Sequence, residues 1–129
     1  MGRNSGGGIS NTGRSLQSAK EKQFSSTVTG AYKAEYAKEV ARLSKIDGYI
    51  EKAPTNWLQN QIKGYEDQAG KDPIKEYISA QVTDWRSKGS KGQINVFWKS
   101  NVEGIARRQA KYKFIPQMKA ELKKRGVKV

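Results

Sequence analysis

The sequence predicts an all-α protein, an antiparallel four-helix bundle that follows a flexible or extended basic N-terminal arm. Apolar residues recur at spacings of three and four in several separate segments, which is the period of an amphipathic helix. Gly, Pro and Ser residues separate these segments. The first 26 residues are rich in Gly, Ser and Asn instead. With 129 residues, the chain has room for one domain, and we assign the bundle to residues 27–129.

The arm, residues 1–26, carries four cationic residues and one acidic residue. A segment of this composition has too little apolar surface to offset the entropy lost on ordering. We therefore predict that the segment is flexible on its own. It is either an ordinary disordered tail or an arm that orders along a polyanion, with phosphate contacts from Arg3, Arg14, Lys20 and Lys22.

The first two predicted helices lie between Thr29 and Gly70. Thr29 is a plausible N-cap, and Pro54 should end the first helix. Thr55 can cap the second helix, and Gly70 is a natural stop. The apolar stripe of the first helix consists of Tyr32, Tyr36, Val40, Leu43, Ile46 and Ile50. That of the second consists of Leu58, Ile62, Tyr65 and Ala69.

The remaining helices follow clear start and stop signals. Asp72-Pro73 should begin the third helix, because a capping acid precedes a proline at the first helical position. The fourth should begin near Gln93 and end or kink at Pro116. A last short helix should run to Arg125-Gly126. The stripes contain Ile74, Tyr77, Ile78, Val82 and Trp85, then Ile94, Phe97, Trp98, Val102, Ile105, Ala106 and Tyr112, then Met118 and Leu122.

Three tryptophans, Trp57, Trp85 and Trp98, fall on three different predicted helices. Helical spacing favours a shared place in the core over exposed rings that stack on bases.

The formal charge of +13 is concentrated at the two ends of the chain. Residues 1–26 carry +3, residues 27–86 are balanced overall, and residues 87–129 hold 12 cationic residues against two acids. Such a surplus attracts a polyanion, and phosphate neutralisation with counterion release gives affinity that does not depend on sequence. The predicted phosphate contacts in the C-terminal third are Lys99, Arg107, Arg108, Lys111, Lys113, Lys123, Lys124 and Arg125.

Catalysis and metal binding find little support in the composition. The chain has no His and no Cys, which removes the usual general base and the usual soft metal ligands. Gly6-Gly7-Gly8 lacks the lysine and hydroxyl residue of a phosphate-binding loop. We expect no enzyme activity, no cofactor and no metal site. No base-reading motif is present either, so the expected binding mode uses the backbone of the nucleic acid.

The order of these parts resembles the major capsid proteins of filamentous archaeal viruses, of the rudivirus and lipothrixvirus type. The resemblance is one of organisation over the whole chain: a basic arm, then helical segments at Tyr32–Ile50, Asn56–Ala69, Ile74–Arg86 and Gln93–Tyr112. It implies a virion protein that coats linear double-stranded DNA, held in A-form, as a homodimer or a heterodimer of related subunits. By position, it also implies that Arg42 contacts phosphate. In such a virion the C-terminal lysines could face DNA, a neighbouring subunit or a lipid envelope.

Two other functions remain open from the sequence. A cellular chromatin-like or ribosomal protein of similar charge would bind nucleic acid in the cytoplasm or nucleoid without building a filament. A membrane-surface protein would place its basic C-terminal helices on anionic lipid.

Overall fold

The computed structural model describes residues 18–128, and this part of the chain contains five helices and no strand. The helices are α1 (Ala19–Ser44), α2 (Thr55–Asp67), α3 (Pro73–Ser87), α4 (Trp98–Tyr112) and α5 (Ile115–Lys124). The all-α prediction is therefore confirmed for the described residues.

Helix α1 begins ten residues before the predicted cap at Thr29. Ser18 is the N-cap, and its hydroxyl accepts a hydrogen bond from the Glu21 backbone N–H at 3.2 Å. Phe24 and Val28 are buried, which gives this stretch the apolar contacts needed to order it as a helix. The prediction that the arm extends to residue 26 is therefore wrong from residue 18 onward.

The end of α1 also differs from the prediction. The helix stops at Ser44, and residues 45–53 form turns, with Gly48 at a φ of +66°. Ile50 is buried, but Ile46 is 41% exposed and does not belong to the core. The helix therefore ends well before Pro54, and the left-handed Gly48 lies in the turns that follow it.

The start signals of α2 and α3 are close to those predicted. Pro54 is the N-cap position of α2, and Thr55 is its first residue rather than its cap. In α3 the prediction is confirmed, because the Asp72 carboxylate accepts from the Lys75 N–H at 3.2 Å and Pro73 opens the helix.

Helix α4 begins at Trp98, five residues after the predicted start. The side-chain amide of Asn95 donates to Gln81 on α3 at 2.9 Å and accepts from the Phe97 N–H at 2.8 Å. These bonds hold the preceding segment against α3 in a non-helical path. Phe97 is 74% exposed, so its predicted place in the apolar stripe is wrong. The predicted interruption at Pro116 is confirmed, since Pro116 lies in the first turn of α5.

Helices α1 and α4 run in the same direction. Lys20 near the start of α1 donates to the Gly92 carbonyl, and Glu35 in its middle accepts from Arg107. Beyond the end of α1, the rings of Tyr49 and Phe114 lie 5.6 Å apart.

Helices α2 and α3 are antiparallel to α1 and follow one another along its length. Tyr49 contacts Trp57 at the start of α2, and Arg86 at the end of α3 donates to Glu21 at the start of α1. With 13 and 15 residues, α2 and α3 together match the 26 residues, about 39 Å, of α1. The packing is that of a bundle, but these contacts do not follow the four-helix antiparallel order that we predicted.

The core consists of two separate clusters. The Trp85 cluster contains Phe24, Val28, Val82, Trp85, Ile94 and Val102, from α1, α3, α4 and the segment before α4. The Met118 cluster contains Ile50, Leu58, Ile62, Ile115, Met118 and Leu122, from α2, α5 and the turn after α1. Trp98 packs on the first cluster and Trp57 on the second, so the three tryptophans do not share one core.

Candidate nucleic-acid interface

The predicted phosphate contacts of the arm are only partly described. Arg3 and Arg14 lie outside the described residues. Lys20 and Lys22 both lie on the first turns of α1 but have different surroundings. The Lys20 ammonium donates to the Gly92 carbonyl at 3.0 Å and lies 5.7 Å from the centre of the Trp85 ring, so it holds the segment before α4. Lys22 is exposed and lines a groove along α1.

Arg42 is bound to a carboxylate within the molecule. It donates to both oxygens of Glu39, at 2.8 and 2.7 Å, and Glu39 is only 5% exposed. The hydrogen bond from Arg42 lowers the pKa of Glu39 against the opposing effect of burial.

Arg107 lies against the same face of α1. It donates to Glu35 at 3.0 Å and lies 3.8 Å from Glu103. The guanidinium groups of Arg42 and Arg107 therefore balance carboxylates along the seam between α1 and α4. About half or more of each side chain stays exposed, which leaves both within reach of a phosphate.

Among the predicted phosphate contacts, Arg125 makes the most hydrogen bonds within the protein. Its guanidinium donates to Glu121, to the Thr55 hydroxyl and to the backbone carbonyls of Ile50 and Glu51, at 2.8 to 3.3 Å. Its side chain is 22% exposed. Arg125 joins the end of α5 to the start of α2, and we leave it out of the proposed interface.

The other predicted contacts form a surface on α4, α5 and the turn between them. None of them has an ion-pair partner among the described residues, and all are exposed except the half-buried Lys111. Together with Lys119 of α5, which is half-buried and was not among the predicted contacts, five of these residues form the set that we call the basic surface: Arg108, Lys111, Lys113, Lys119, Lys123 and Lys124. Lys99, at the start of α4, is exposed and likewise unpaired within residues 18–128.

The acids of the C-terminal third cannot balance its cations. Glu103 and Glu121 are the two acids of residues 87–129, and they lie beside Arg107 and Arg125. Lys88 pairs with Asp84 of α3. Nine of the twelve cationic residues in this third therefore have no carboxylate partner in the described part of the chain.

Sequence reasoning missed a second feature, a pocket between α1, α2 and α4. We call it the tyrosine pocket; it measures about 420 Å³ and is lined by Tyr32, Tyr36, Tyr65 and Tyr112 together with Lys33, Gln109 and Lys113. The tyrosines had been assigned to apolar helix stripes, and Lys33 had no distinguishing signal. Burial raises the pKa of Tyr32, as expected for a phenol partly removed from water.

Two kinds of feature are absent from residues 18–128, a cluster of metal ligands and a membrane-spanning helix. Within residues 18–128 no three acidic residues come together where a metal ion could be held. No helix in the same range has the length and apolar character of a membrane span.

Comparison of the whole chain with protein-family models, with curated proteins and with solved structures finds no match in any of the three.

Proposed function

We propose that this chain is a structural protein that binds nucleic acid without sequence preference, and that its partner is linear double-stranded DNA. The observation that carries the proposal is the unbalanced charge of residues 87–129, where nine cationic residues, six of them on α4 and α5, lack a carboxylate partner in the described part of the chain. Lysines and arginines arranged in this way neutralise phosphates and release the counterions condensed on DNA.

The interface in this proposal combines three groups of residues. The basic surface supplies most of the charge, Lys99 adds to it at the start of α4, and Lys22 and Lys33 extend it along α1. The arm, which contains Arg3 and Arg14, would add phosphate contacts on the DNA. Arg42 and Arg107 take part only if a phosphate shares them with Glu39 and Glu35.

The proposal includes assembly along the DNA. We infer that the chain is a virion capsid protein that forms a helical filament as a homo- or hetero-oligomer, with or without a lipid envelope. Support comes from the resemblance in organisation to filamentous archaeal virus capsid proteins. A second argument is electrostatic, because a net charge of +13 makes the subunits repel one another until a polyanion compensates them.

A salt series on duplexes of scrambled sequence tests the binding mode. We expect equal affinities for different sequences and a log–log slope of binding constant against salt of about −0.9 per neutralised phosphate. The double variant Lys123→Gln, Lys124→Gln should make this slope shallower by about two units of that size. The control variant Lys63→Gln, Lys71→Gln removes the same charge from the balanced middle of the chain. Equal loss in both variants, or one preferred sequence, would contradict the proposed interface.

Negative-stain microscopy tests the assembly. Purified protein mixed with linear duplexes of two lengths should form regular filaments whose lengths follow those of the DNA. If the chain alone leaves the DNA bare, co-expression with a related subunit separates a missing partner from a failed proposal. Irregular coating in both preparations would favour a chromatin-like or ribosomal protein.

A second candidate function rests on a specific observation. Val96 and Phe97 are 61% and 74% exposed, close in sequence to Lys91 and Lys99, and an apolar tip among lysines is a feature of proteins that bind anionic lipid. Flotation with anionic vesicles at physiological salt tests this function, since a protein that binds only DNA stays in the soluble fraction.

A further inference from the structure

The tyrosine pocket lies where the two core clusters meet. Tyr32 packs against the Trp85 cluster and Tyr112 against the Met118 cluster. The pocket therefore occupies the gap between them, and its walls come from α1, α2 and α4. Tyr36 and Tyr65 belong to neither cluster, and Tyr65 is 42% exposed. Apolar packing alone does not account for four aromatic rings at an open gap.

The rings form two pairs. Tyr32 and Tyr36 lie 5.9 Å apart with an angle of 37° between their planes. Tyr65 and Tyr112 lie 5.7 Å apart with an angle of 67°. Because an edge-to-face pair leaves ring faces uncovered, the pocket presents π-surface to a planar ligand. Aromatic rings of this kind stack on nucleobases with little dependence on the base.

The polar groups of the pocket indicate which hydrogen-bonding and charged groups a ligand would carry beside its planar ring. The side-chain nitrogen of Gln109 is shielded from solvent and has no hydrogen-bond partner among the described residues. A buried amide donor without an acceptor is unfavourable, and because Gln109 lines the pocket, a rotation of its side chain would let a carbonyl or ring nitrogen of a base accept from it. Lys33 and Lys113 complete the lining, and none of its seven residues is acidic. A planar ring with hydrogen-bond acceptors and an attached anion fits this set of groups.

The pocket shares the lining residue Lys33 with a second groove, whose other lining groups suit a phosphate chain. Lys33 lines both the pocket and a groove along α1, whose other lining residues are Lys22, Ser25, Ser26, Thr29 and Gly30. Hydroxyls and lysines are common phosphate ligands. No other atom lies within 4 Å of the point where a Gly30 side chain would begin, so the floor of this groove is open.

We propose that the tyrosine pocket holds an unpaired nucleobase of a bound strand, with the adjoining phosphates on Lys33 and Lys113 and along the α1 groove. This inference rests on the proposed function and deepens it, because it adds single-stranded or locally unpaired nucleic acid to the ligands of the chain. The bases contribute affinity of their own, separate from the charge contacts of the basic surface.

Two fluorescently labelled 20-mers test the proposal, one of thymidine and one of abasic residues with the same number of phosphates. Fluorescence anisotropy should show the thymidine strand bound about five- to a hundredfold more tightly, the range expected for stacking of one base. The double variant Tyr36→Leu, Tyr65→Leu should bring this ratio close to one while the affinity for the abasic strand stays the same. Phe97→Leu removes an exposed ring elsewhere and should keep the wild-type ratio.

The possible failures are distinguishable. The assignment of the pocket is overturned if the wild-type protein binds the thymidine and abasic strands equally, or if the double variant keeps the wild-type ratio of these two affinities. If the wild-type protein binds neither the abasic strand nor duplex DNA, the proposed function is overturned instead. Circular dichroism verifies that the double variant is folded; if it is not, Tyr65→Leu alone replaces it, because this ring is the most exposed of the four. If free thymidine monophosphate displaces the labelled thymidine strand as effectively as an unlabelled thymidine strand does, the pocket does not bind a strand and this part of the proposal is overturned.

Discussion

In the Met118 cluster at one end of the molecule, three of the six residues are completely buried and only Ile50 is as much as 8% exposed. In the Trp85 cluster at the other end, Val28 and Val102 are completely buried and the remaining four residues are 6–9% exposed. Each end also has polar contacts, those of Arg125 at the Met118 end and two others at the Trp85 end. Arg86 donates to the buried Glu21 at 2.8 Å, and the Trp85 indole donates to the carbonyls of Lys91 and Gly92.

The two ends therefore differ in degree: the Met118 cluster is the better enclosed, whereas the ion-paired carboxylate is the more deeply buried at the Trp85 end, 5% exposed in Glu21 against 14% in Glu121. Most of the basic surface lies on or next to α5, and α5 is anchored by the better enclosed cluster. Apolar packing changes little with pH or salt, so it can hold a surface on which like charges repel. The ion pair at the Trp85 end contains the more deeply buried carboxylate, so we expect this end to be the more sensitive to protonation.

The largest expected effect is a truncation inside each cluster. Leu122→Ala should lower the free energy of unfolding by about 2–5 kcal/mol, because Leu122 is completely buried and its removal leaves a cavity. Ile94→Ala removes the same number of carbon atoms from the other cluster and should cost less, near the lower end of that range, since water reaches its site. Urea denaturation measures both. Equal losses would remove the distinction between the two clusters.

A smaller effect is expected from the ion pair at the Trp85 end. The hydrogen bond from Arg86 lowers the pKa of Glu21 in the folded protein. This contribution to stability is fully present above the unfolded value of about 4.3 and is lost as the pH falls through the folded value. Glu21→Gln should therefore reduce the loss of stability between pH 7 and pH 3. If the variant shows the same loss as the wild type in urea denaturation at both pH values, the ion pair is not what makes this end acid-sensitive.

The smallest effect concerns glycines inside helices. Gly30→Ala should raise stability by about 0.5–1 kcal/mol, because alanine is the better helix former and its methyl group meets no atom within 4 Å. Gly64→Ala should gain less or nothing, since its methyl group would lie 2.8 Å from the Tyr112 hydroxyl. Thermal unfolding compares the two variants. An equal gain would show that Tyr112 moves freely and that the boundary between the clusters is loosely packed.

Local signals predicted most of the helices. The Asp72-Pro73 pair marked the start of α3, and the spacing of Leu58 and Ile62 marked the buried face of α2. The start of α1 could not be found in this way, because residues 19–26 become helical through the burial of Phe24 against residues of α3 and α4. The start of α4 was misplaced because Asn95 bonds to α3, a contact that no local pattern contains.

In the candidate interface too, some features could be predicted from the sequence and others required the tertiary structure. The charge surplus of residues 87–129 is a property of composition, so the lysines of the basic surface could be named from the sequence. The roles of Arg42, Arg107 and Arg125 required the structure, since their carboxylate and carbonyl partners depend on how the helices are placed. The tyrosine pocket was missed because Tyr32 and Tyr65 have the same helical spacing as residues of the core.

The sequence by itself determined the helical class, the position of Pro and Gly breaks and the sign and location of the net charge. These properties depend on each residue and its near neighbours, and they add up along the chain. The tertiary structure alone decided which helices run together, which cations are already paired and which aromatic rings face solvent. Those properties depend on contacts between residues far apart in the chain, such as Glu35 and Arg107, 72 positions apart. Local periodicity holds no information about such distances.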